Sequence, residues 1–64
     1  MTKREVCQAI RAIGLRCQWG EGSFWIEPKG VSRERAEAMA YETSDPDDAI
    51  ATAKDMARRL GLGR

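Results

Sequence analysis

"KGVSRERAEAMAYET", residues 29–43, decides the fold of this chain, because it reads as either of two elements. Ala, Glu, Arg and Met favour a helix, Ser32 is placed to cap it, and Ala36, Met39, Ala40 and Thr43 recur at helical spacing. Against this, Glu37, Met39, Tyr41 and Thr43 alternate with Ala38, Ala40 and Glu42, the period of a strand. The preceding segment tips the choice. It reads as a hairpin, which is marginal in water when alone, so a third strand ending near Thr43 is favoured. The expected class is α+β, in the order α-β-β-β-α, with a three-stranded antiparallel sheet and both helices on one face. The helical reading of residues 29–43 leaves α-β-β-α-α as the alternative.

The hairpin is "LRCQWGEGSFWIEP", residues 15–28. Leu15, Cys17 and Trp19 alternate with Arg16 and Gln18, and Phe24 and Ile26 alternate with Trp25 and Glu27. "GEGS" supplies the turn. With residues 20–23 as the loop, Trp19 faces Phe24 and Cys17 faces Ile26 on one side, while Gln18 faces Trp25 and Arg16 faces Glu27 on the other. A slip of one residue would turn Arg16 and Gln18 into the core, so the chemistry of both faces supports one register. Trp19 and Phe24 are assigned to the core.

Helices flank this unit, and both have marked ends. Thr2 and Glu5 form a capping box, Met1 and Val6 take the positions of a hydrophobic staple, and Val6, Ile10 and Ile13 make one stripe. Gly14 then stops the helix, with Leu15 folding back on Ile10, so the first helix spans 3–13. At the other end, Asp45 is an N-cap, Pro46 suits the first helical position, and Asp47 and Asp48 sit where the helix dipole favours negative charge. Ala49, Ile50, Ala53, Met56, Ala57 and Leu60 form its apolar stripe, Asp55 and Arg59 are an i, i+4 pair, and Gly61 with Leu62 repeats the stop. The charge segregation of "YETSDPDDAIATAKDMARRLG", residues 41–61, is thus mainly that of a well-capped helix.

Sixty-four residues, 42% hydrophobic and 33% charged, describe a single small globular domain, residues 1–64, with one shared core. No apolar run approaches the roughly 18 residues of a membrane span, and the N-terminus lacks an apolar signal segment. A cytoplasmic location is expected. Eleven basic against ten acidic residues remove the simplest argument for a nucleic-acid or membrane partner. The two cysteines, Cys7 and Cys17, read as packed thiols; in that compartment a structural disulfide is disfavoured.

The element order matches the double-stranded RNA-binding domain, but the residues do not. That family grips phosphates with lysines at the start of its last helix, where this chain places Asp45, Asp47 and Asp48. The assignment is rejected. Catalysis is equally disfavoured: histidine is absent, so no Ser-His, Cys-His or His-metal constellation exists. Glu27, Glu37 and Glu42 read as wet-face charges, and no CxxC pair, phosphate loop or metal-ligand spacing is present. No cofactor, metal or membrane is expected.

"AYETSDPDDAIATAKDMA", within residues 36–57, resembles the closing strand and helix of small uncharacterised phage and prophage proteins, where a Tyr/Thr strand runs into an acidic cap and an alanine-rich helix. The resemblance implies a small accessory or regulatory protein that works by binding, some of that size class inhibiting host defence. It carries over no functional residue.

Two helices cover only one side of a three-stranded sheet, so Arg16, Gln18, Trp25 and Glu27 are expected to look outward. An outward Trp beside an Arg is the usual make-up of a binding hot spot. The expected role is therefore a non-catalytic protein-protein or self-association module using this face, with Asp45, Asp47 and Asp48 as a secondary site for a basic protein surface. The alternatives are a single-stranded nucleic-acid binder, with Trp25 stacking on a base and Arg16, Lys29, Arg33 and Arg35 following the backbone, or a purely structural domain. Near-zero net charge and the acidic run from Glu37 to Asp48 weigh against nucleic acid.

Overall fold

The computed structural model describes residues 2–61. The elements are α1 (Lys3–Ile13), β1 (Leu15–Gly20), β2 (Ser23–Pro28), α2 (Arg33–Met39), β3 (Tyr41–Thr43) and α3 (Pro46–Arg59). The three strands form one antiparallel sheet in the order β1-β2-β3.

Residues 29–43 resolve into both of the elements they offered. Ser32 caps α2, its hydroxyl accepting from the Arg35 amide at 3.2 Å, and the helix ends before Ala40, whose backbone is extended. The third strand ends at Thr43 as expected but begins only at Tyr41, so Glu37 and Met39 are helical and the chain has three helices among its described residues. Propensity governs residues 33–39, where no strand partner is in reach. Pairing with β2 governs residues 41–43, where Tyr41 faces Ile26, Glu42 faces Trp25 and Thr43 faces Phe24.

The hairpin register is as read: Trp19 faces Phe24, Gln18 faces Trp25, Cys17 faces Ile26 and Arg16 faces Glu27. Glu21 and Gly22 alone make the turn, with φ of 52° and 81°. Two positive φ values mark the primed turn whose twist matches that of the strands it joins. Glu21 pays sterically for this position, which favours Gly or Asn.

The terminal helices follow their caps. In α1 the Glu5 amide donates to Thr2 Oγ1 at 3.1 Å and the Thr2 amide to Glu5 Oε1 at 2.8 Å. The Thr2 amide, and after it the Thr2 hydroxyl, hold the Glu5 carboxyl below its ordinary pKa. Gly14, at φ 111°, stops the helix. In α3 the Asp45 carboxylate accepts from the Asp47 and Asp48 amides, and Asp55 pairs with Arg59 at 3.1 Å. The expected Met1 staple and Leu62 stop partner lie outside the described residues.

Val6, Cys7 and Ile10 from α1, Leu15, Cys17, Phe24 and Ile26 from the sheet, and Ala49, Ala53 and Met56 from α3 form one buried cluster. The two long helices thus share one face of the sheet. Small alanines on α3 let it approach closely enough for α1 and α3 also to touch each other. Ala36 of α2 is buried too, but apart from this cluster, against β2.

One core assignment needs correction. Trp19 lies on the helix-covered face, its ring edge-on to Phe24 at 4.5 Å, yet it remains 36% exposed. It sits next to the hairpin turn, at the rim of the sheet beside α1, and Lys3 Nζ covers its ring at 4.5 Å from the centroid. Packing ends before the strand does.

Candidate functional site on the outer sheet face

Strand parity alone places Trp25 opposite the core, because Phe24 and Ile26 on either side of it are fully buried. Trp25 is 41% exposed. Gln18 and Glu42 flank it on the neighbouring strands, so the row Gln18, Trp25, Glu42 crosses the whole sheet. Arg16 and Glu27 face one another in the next row. All four residues expected on this face are there.

The indole has a defined position. Trp25 Nε1 donates to Glu27 Oε2 at 3.2 Å, and Ser23 Oγ donates to Glu42 Oε2 at 2.7 Å on the other side. A carboxylate therefore satisfies the only polar atom of the ring and leaves part of its apolar surface to solvent.

The face is not flat. The turn after β2 and helix α2 rise beside it, and together they bound a cleft of about 420 Å³ whose walls include Arg16, Trp25, Glu27, Val31, Arg33 and Glu37. An aromatic plate and an aliphatic side chain thus stand among two cations and two carboxylates. The sequence reading missed the second wall, Val31, Ala36 and Glu37, because the strand reading of residues 33–39 gave those residues no place beside Trp25.

The remaining candidates separate. Arg33 joins Trp25 and Arg16 in the cleft, whereas Lys29 and Arg35 are exposed and form no part of its walls, so the structure does not unite the expected phosphate-following set. Of the acidic triplet, Asp45 is occupied in capping α3. Asp48 accepts from Tyr41 Oη at 2.7 Å, and this bond holds its carboxyl below the ordinary value while raising the Tyr41 hydroxyl. Asp47 is exposed. Two of the three carboxylates therefore serve the junction between β3 and α3.

Among the described residues no group of His, Cys, Asp or Glu has the geometry to hold a metal ion, and no helix is long and apolar enough to cross a membrane. The chain matches none of the protein families, curated proteins or solved structures with which it was compared.

Proposed function

We propose that this protein is a non-catalytic binding module that docks a protein partner, or a second copy of itself, on the outer sheet face around Trp25. One observation carries the reading: a tryptophan 41% exposed, its N–H already satisfied, forms a wall of a cleft whose other groups carry both signs of charge. Exposed apolar area beside an Arg offers a partner a rigid anchor at low entropic cost. The mixture of Arg16 and Arg33 with Glu27 and Glu37 suits a polar protein rim. A polyphosphate chain would meet two carboxylates there, which weighs against the nucleic-acid alternative. A cytoplasmic accessory or regulatory role of the kind that the phage-protein resemblance implies belongs to the same reading.

The test compares the native chain with Trp25→Ala at equal folded fraction. Sedimentation velocity measures self-association, and affinity capture from cell extract measures a partner, each at low and high salt. The expected result is an association that Trp25→Ala abolishes and that salt changes little. Association that survives Trp25→Ala overturns the reading, as does steeply salt-dependent binding to a labelled single-stranded oligonucleotide at this face.

A further inference from the structure

The two cysteines meet inside the core. Cys7, in the second turn of α1, and Cys17, in the middle of β1, are ten positions apart in sequence, and the Cys17 thiol donates to Cys7 Sγ at 3.1 Å. A sulfur–sulfur bond is about 2.05 Å long, so joining them takes a movement of roughly 1 Å. The two sulfurs differ in access. Cys17 is 1% exposed, whereas Cys7 is 6% exposed and lines a shallow depression bounded by Lys3, Arg4, Gln8, Arg11 and Trp19. Arg11 also fixes the strand that carries Cys17, its Nε and Nη2 donating to the Cys17 carbonyl at 3.2 and 2.8 Å.

We propose that Cys7 and Cys17 form a peroxide-reactive thiol pair that closes a disulfide between α1 and β1. In the first step Cys7 gives up its proton and its sulfur attacks one oxygen of the peroxide. The O–O bond breaks, the departing hydroxide takes the proton as water, and Cys7 becomes a sulfenic acid. Next the Cys17 sulfur attacks the Cys7 sulfur, the S–O bond breaks, and the second hydroxide leaves as water with the Cys17 proton. Two thiols are oxidised by two electrons in all, and one peroxide is reduced to two waters.

The order of attack follows from the surroundings. Cys7 is 6% exposed against 1% for Cys17 and is the sulfur a peroxide reaches first, while burial raises the Cys17 thiol above its ordinary value and keeps it protonated until the second step. Its proximity decides the second step. A sulfur held at 3.1 Å acts at a very high effective concentration and intercepts the sulfenic acid before another peroxide can reach it. The product cross-links a helix to the strand it covers, so it restricts the unfolded chain more than the folded one.

The experiment treats the reduced native chain with a small excess of hydrogen peroxide. Expected are a mass loss of about 2 Da in a single covalent chain, simultaneous loss of both thiols, recovery of both with dithiothreitol, and a melting temperature higher by roughly 10 °C. A gain of about 32 Da per thiol, intermolecular disulfides, or thiols that persist would overturn the proposal. Two variants test the order of attack: Cys17→Ala is expected to give a dimedone-trappable sulfenic acid at Cys7, and Cys7→Ala to leave Cys17 at least tenfold slower to oxidise. Equal rates in the two would overturn the assignment of Cys7 as the attacking thiol. Should either variant fail to fold, mass and gel mobility of the native chain still decide whether the pair closes.

Discussion

Phe24 and Trp25 are consecutive aromatics on the central strand, yet one is fully buried and the other is 41% open to water. The faces they point to differ in what covers them. Phe24 lies under α1 and α3 and joins a cluster drawn from four elements. Trp25 has only α2 and its preceding loop at its side, which form a wall and not a roof. The contrast teaches that side-chain hydrophobicity does not decide burial in so small a sheet; the number of helices long enough to span it does. A tryptophan on the uncovered face is then available for recognition.

Five substitutions would break or sharpen this contrast. Phe24→Ala should have the largest effect, about 3–5 kcal/mol, comparable with the whole stability of a domain this size, so circular dichroism should show it largely unfolded at room temperature. Next is Asp45→Ala, which removes the cap of the longer covering helix and should lower denaturant-measured stability by about 1 kcal/mol. Trp25→Ala should change stability by less than about 1 kcal/mol while removing association; a loss as large as that of Phe24→Ala would mean that the two faces are equally structural. Glu21→Asn relieves the positive-φ turn position and should stabilise by about 0.5 kcal/mol, read as a higher urea midpoint at unchanged slope.

The smallest effect concerns the Tyr41–Asp48 bond and shows only at the extremes of pH. Asp48 has a depressed carboxyl, so its contribution is fully present above its ordinary value of 3.8 and is lost as pH falls through the lower folded value. Tyr41 is raised above 10.0, so its contribution is fully present below that value and is lost as pH rises through the folded one. Tyr41→Phe should therefore flatten the stability profile at both ends, measured by denaturant melts across pH, and leave the neutral region almost unchanged in shape.

How much of this was legible in advance follows the range of the forces involved. The hairpin could be read because period two and the chemistry of both faces left one register for Arg16, Gln18 and Trp25, although its turn proved two residues long, Glu21 and Gly22, and not the four of residues 20–23. Residues 29–43 could not be read as one element because they are two. A seven-residue helix is marginal alone, and a three-residue strand exists only through β2, so each is decided by what lies alongside. The exposure of Trp19 was hidden for a similar reason: it depends on where α1 begins relative to the hairpin tip. Of the site, one wall was legible from parity, and the α2 wall was not.

Caps, stops and strand register were determined by the sequence itself, since each joins residues a few positions apart or follows from alternation along a strand. Only the tertiary structure decided that α2 stands beside Trp25, that Tyr41 meets Asp48, and that two thiols ten residues apart come within 3.1 Å of each other. Those meetings require separate elements to pack around a common core, and packing depends on shape and volume across the whole chain, which no local pattern encodes.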